Sequence, residues 1–196
     1  MSPRRSSHPL TARVHKLAQM AADLRQGASF NITRLTTVKR LCADSAAAAR
    51  FALYLAERTR ERMLQHVHPS HLTPERWEGF QQQVATGVEC MRRYLDRPTP
   101  EALEALRATR SALKEAQNQY RHLEWGPVRV IESREALLVE DATACVLLPH
   151  QSADWGYKLA RDYAERYDSR YGNGLIPDSA PYVEEIADFW HHELGV

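Results

Sequence analysis

Two triplets, Thr73-Pro74-Glu75 and Thr99-Pro100-Glu101, constrain the fold of this chain more than any other short stretch in it. Each sets a hydroxyl cap, a first-turn proline and an early acid in the order an α-helix N-terminus needs. The hydroxyl takes an orphan backbone N–H, the proline has none to leave unpaired, and the acid faces the positive end of the helix dipole. The first triplet leads Trp77, Phe80, Val84, Val88, Met91 and Leu95; the second leads Leu103, Leu106, Leu113, Tyr120 and Leu123. Steps mostly of three, four or seven keep one face apolar, and Pro98 and Pro100 close the connection. The two runs therefore predict an antiparallel helical hairpin.

The same period runs through the chain upstream. Val14, Leu17, Ala18, Ala21 and Leu24 form one stripe that stops near Gly27; Ile32, Leu35, Val38 and Leu41 or Cys42 form a second; Ala48, Phe51, Ala52, Leu55 and Met63 form a third, with Asp44 or Ser45 as its cap. Residues 1–9, MSPRRSSHP, have no apolar period and read as a disordered basic tail.

Past Gly126-Pro127 the pattern changes. Residues 128–132, 136–140 and 144–148 are short runs rich in Val, Ile and Leu, separated by Ser133-Arg134-Glu135 and Asp141-Ala142-Thr143, and they predict a small three-stranded antiparallel meander. A helix capped by Ser152 or Asp154 follows, carrying Trp155, Leu159, Tyr163, Tyr167 and Tyr171 at steps of four until Gly172-Asn173-Gly174 stops it. Pro181 opens a last helix with Tyr182, Ile186 and Trp190 on its buried side. The expected fold is thus mainly α of α+β type: a bundle of about five helices over 10–125, then the meander and two helices over 126–196, packed as one globular unit.

At 196 residues, 43% hydrophobic and 26% charged, the chain is large enough to bury a core without metal or disulfide, hiding roughly 70% of its unfolded surface. Cys42, Cys90 and Cys145 are far apart and form no CxxC pair. They indicate neither a disulfide framework nor a zinc knuckle, and with no signal-like or spanning run they place the chain in the cytoplasm.

The overall charge of +1 conceals a separation along the chain. Residues 1–66 carry twelve Lys/Arg against four acids, an excess of eight cations; residues 124–196 carry six against fourteen, an excess of eight acids. Such a dipole fits a surface for an anionic partner or two ends that attract each other. Arg34, Lys39 and Arg40 lie among Thr33, Thr36 and Thr37, a mixture of cations and hydroxyls suited to phosphates, and Arg58, Arg60 and Arg62 extend the basic stretch. The nucleic-acid set is Arg34, Lys39, Arg40, Arg58 and Arg62. Six such cations on duplex DNA would give a log–log salt slope of about −5.

A second candidate surface is aromatic. Tyr163, Arg166, Tyr167, Arg170, Tyr171 and Tyr182 combine the residue types favoured at protein-binding hot spots. On this reading the protein acts by binding another protein, as an adaptor, assembly factor or regulatory subunit. Nucleic-acid binding by the basic helices is the alternative, and a small enzyme with a site between bundle and meander is the third.

Catalytic signals are weaker. No glycine-rich phosphate loop, GxSxG or Walker pattern occurs, and Glu140-Asp141 reads as turn chemistry more than as a carboxylate pair. His66, His68 and His71 lack the cysteine or acid that a four-ligand metal site would add, and His191-His192 are adjacent and diverge on a helix. The sequence therefore predicts no metal and no cofactor.

Overall fold

The computed structural model describes residues 10–65, 73–121, 131–165 and 179–196. Among them the chain forms eight α-helices and no strand: α1 Thr11–Arg25, α2 Thr36–Leu41, α3 Ser45–Gln65, α4 Pro74–Asp96, α5 Pro100–Arg121, α6 Ile131–Leu147, α7 Ser152–Ala164 and α8 Ala180–Leu194. Short 3-10 turns at Ile32–Leu35 and Pro149–Gln151 lead into α2 and α7. The predicted tail over 1–9 and the histidines at 66, 68 and 71 lie outside the described residues.

Both Thr-Pro-Glu triplets open helices, α4 at Pro74 and α5 at Pro100. The Thr99 hydroxyl accepts the Ala102 amide at 3.2 Å. Asp44 rather than Ser45 caps α3, its Oδ1 accepting the amides of Ala46 and Ala47 at 2.8 and 3.2 Å. The α4–α5 hairpin is antiparallel: Gly87 lies against Leu113 while Cys90, further along, lies against Thr109. Its apolar stripe is buried as the spacing requires, with Trp77, Phe80, Val84, Val88 and Met91 of α4 facing Leu106 and Leu113 of α5. In α1, Met20 is buried and Ala18 exposed, a small rotation of the expected stripe.

The meander is overturned. Residues 131–147 are one helix, α6, enclosed by α3, α4, α5 and α7, and every residue from Leu138 to Val146 is buried. A helix covered on all sides needs no polar face, so its sequence loses the 3.6-residue alternation and reads as short apolar runs. Residues 133–135 and 141–143, the expected turns, are helical. Thr143 donates its hydroxyl back to the Glu140 carbonyl at 2.7 Å, the local bond that lets a threonine sit inside a helix. Each buried Leu or Val of α6 contributes roughly 1.5–3 kcal/mol, which exceeds what the β-branched residues cost in helix propensity.

Around this central helix the chain closes end to end. Helix α7 returns antiparallel along α6, with Ser152 near Cys145 and Lys158 on Asp141. Helix α8 runs antiparallel to α3, where Phe51 meets Phe189 and Trp190, both at 5.2 Å between ring centroids. Helix α1 lies on α8, and α2 lies between α1 and α7. Among the described residues no helix is long and apolar enough to cross a membrane.

Candidate functional site

The fold brings the basic beginning of the chain against its acidic end. Arg25 pairs with Glu184, Arg50 takes Glu193 with two nitrogens, Arg62 reaches Glu185 at 2.6 Å, and Lys39 reaches Asp154 at 2.5 Å. Three further contacts are more local: Arg34 with Asp23 at 2.8 Å, Arg58 with Glu61 at 2.8 Å, and Arg92 of α4 on Glu57 of α3 at 2.6 Å. Exposed pairs of this kind contribute about 0.2–1 kcal/mol each, so their main consequence is occupancy: these cations already face acids.

Among the described residues of the basic stretch, Arg13, Lys16, Arg40 and Arg60 pair with no acid. Three of the four converge. Arg13 and Lys16 stand three apart on α1, and Arg40 shares a face of α2 with Thr36 and Lys39. Together with Ala12 and Thr37 these residues line an open cleft of about 570 Å³ between the two helices, and among the described residues no acid lines it. The Thr36 hydroxyl donates to the Thr33 carbonyl at 2.7 Å, while the Thr37 hydroxyl has no partner among the described residues. The Arg13 Nε is shielded from solvent and unpaired.

What holds α2 there is its contact with α7. The Ser152 hydroxyl donates to the Cys42 carbonyl at 3.0 Å, and Gly156 allows the Cys42 sulfur to approach so closely that an added Cβ would stand 2.4 Å from it. One wall of the cleft is therefore set by helix packing.

The other expected sites are differently placed. Tyr163 is fully buried, donates its hydroxyl to Glu185 and lies edge-on to half-buried Tyr182 at 5.5 Å. Arg62 covers both rings, at 4.1 Å from Tyr182 and 5.3 Å from Tyr163, so this group ties α3, α7 and α8 together. Burial pushes the Tyr163 hydroxyl well above its ordinary value. Arg166, Tyr167, Arg170 and Tyr171 lie outside the described residues. Arg58 turns to Tyr54 and Glu61, which hold its guanidinium above its ordinary value.

A second charged group lies on the central helix. Asp141 is 1% exposed and bonded to Lys158, Glu140 accepts from Arg110 at 2.8 Å, and the Trp155 ring lies 5.7 Å from the Arg110 guanidinium and 5.4 Å from the Lys158 ammonium. The second oxygen of Asp141 is buried without a partner. Burial first, with the charges of Glu140 and Asp162 adding to it, raises the Asp141 carboxyl to about 6 despite Lys158. The adjacent carboxylates Glu140 and Asp141 are the trace of this group in the sequence, weighed there below turn chemistry, because their partners Arg110 and Lys158 come from other helices.

The thiols of Cys42 and Cys145 are buried, which pushes Cys145 up to about 12 and Cys42 well above its ordinary value, so neither is a ready nucleophile. No group of three or more His, Cys, Asp or Glu that could hold a metal occurs among the described residues. No protein-family model, curated protein or solved structure matches the chain, and the functional reading rests on its own residues.

Proposed function

We propose that this protein binds the phosphate backbone of double-stranded nucleic acid in the α1–α2 cleft. The observation that carries the reading is selective pairing: of the ten described cations of the basic stretch six face acids, while Arg13, Lys16 and Arg40 do not and meet around one cleft. The lining offers cations and hydroxyls, the groups that contact phosphate oxygens. Among the described residues it contains neither an aromatic ring for stacking a splayed base nor an amide or acid for reading a base edge. Recognition of this kind is sequence-independent, and it favours the duplex for its denser charge. Arg34, Arg58 and Arg62, bound to acids elsewhere, drop out of the binding set.

Three engaged cations give a log–log salt slope of about −2.7 on duplex DNA. Fluorescence anisotropy of a labelled duplex over a salt series measures it. The reading expects Arg13→Ala, Lys16→Ala and Arg40→Ala each to flatten the slope by about 0.9 whatever the sequence of the probe. Binding untouched by these three changes, or none at low salt, would overturn it.

The adaptor reading draws on Tyr163, Arg166, Tyr167, Arg170, Tyr171 and Tyr182; Tyr163 and Tyr182 are engaged inside the molecule by Glu185 and Arg62, and the other four lie outside the described residues. An enzyme site between bundle and meander has lost the meander.

A further inference from the structure

We propose that Asp154 acts as an internal competitor of the phosphate, holding Lys39 out of the binding set so that three cleft cations are available where the sequence supplies four. The inference rests on the cleft reading above and concerns how that site is regulated.

Lys39 lies on the cleft face of α2, three residues after Thr36 and beside Arg40, and it lines the cleft with them. Unlike Arg13, Lys16 and Arg40, it has an acid in contact, since its Nζ is 2.5 Å from Asp154 Oδ1. Asp154 does not line the cleft. It stands in the first turn of α7, the end of a helix whose dipole favours a negative side chain. The relation of the two residues is set by packing, through the Ser152–Cys42 bond and the Gly156–Cys42 approach that clamp α2 to α7.

Competition, rather than permanent capture, follows from exposure. Asp154 is 69% and Lys39 51% exposed, so water and salt screen their attraction. Neutralising Asp154 frees a cation whose side chain already lines the cleft. An added cation makes one more phosphate contact and releases one more condensed counterion.

The test is the anisotropy salt series on a labelled duplex with wild-type protein, Asp154→Asn, Lys39→Ala and the double variant. Circular dichroism confirms that each keeps its helices. Asp154→Asn is expected to tighten binding roughly two- to five-fold at moderate salt and to steepen the slope by about 0.9. Both effects should vanish when the same change is made in the Lys39→Ala background. Three results overturn the proposal: an unchanged slope and affinity in Asp154→Asn, a gain that persists without Lys39, or a Lys39→Ala variant whose slope alone flattens by about 0.9, which would mean that Lys39 is already engaged. If wild-type binding is absent or indifferent to Arg13, Lys16 and Arg40, the cleft reading and this proposal fall together. If it depends on them and Asp154→Asn changes nothing, only this proposal falls.

Discussion

The α1–α2 cleft and the charged group on α6 use the same residue types to opposite ends. In the cleft, Lys16 and Arg40 are exposed, Arg13 is half-buried with its Nε shielded, and no acid lines it among the described residues. On α6, Glu140 and Asp141 are buried and each has a cation, Arg110 or Lys158, drawn over it from a neighbouring helix. Surface cations keep their hydration and cost the fold little, so they can be left unpaired for a ligand. Buried carboxylates are desolvated, and their partners are committed to them. Charge alone therefore identifies neither group; burial and pairing separate them.

The comparison can be broken hardest at Lys158. Lys158→Ala removes the charge that favours ionised Asp141, so the buried carboxyl moves further up, takes a proton at neutral pH and loses its partner, which should cost about 3 kcal/mol in urea unfolding. A loss as small as that of a surface change would mean that the pair is ornamental.

Asp141 itself gives a pH signature. Its folded pKa, raised to about 6 from an ordinary 3.8, means that the native state holds this proton more tightly than the unfolded chain does. Its contribution is fully present below the unfolded value and is lost as pH rises through about 6, a change of about 3 kcal/mol. The stability of Asp141→Asn relative to wild type should therefore rise between acid and neutral pH, and a flat difference would refute the assignment.

Gly156→Ala connects the two regions, because the new Cβ would strike the Cys42 sulfur and push α2 from α7. It is expected to cost about 1–3 kcal/mol and to weaken duplex binding together with stability. At the small end, Arg40→Ala should change stability by less than about 0.5 kcal/mol while still flattening the salt slope. An Arg40→Ala protein that unfolds readily would show that the arginine belongs to the fold.

The helical hairpin and α6 divide along the same line of burial. Helices α4 and α5 each keep a solvent face, so Trp77, Phe80, Val84, Val88 and Met91 repeat at helical steps and the Thr-Pro-Glu caps mark where to start counting. Helix α6 has no solvent face over Leu138–Val146, and its Val, Leu and Cys residues read as strand. Length would have favoured a helix, but Asp141 and Thr143 passed for a turn because their partners, Lys158 and the Glu140 carbonyl, follow only from the fold. The cleft was legible in part. Lys39, Arg40, Thr36 and Thr37 stood out as a phosphate-like mixture, whereas Arg13 and Lys16 lie on another helix and were seen only as members of the basic stretch.

The sequence by itself determined where most helices begin and which faces of the amphipathic ones are apolar, because caps and periodicity act over a few residues. It also determined that cations gather at one end of the chain and acids at the other. Tertiary structure alone decided that residues 131–147 form the central helix and which cations remain available, since both depend on what is packed opposite. A side chain's neighbours across the fold, rather than along the chain, decide whether its charge is spent inside the molecule or left for a ligand.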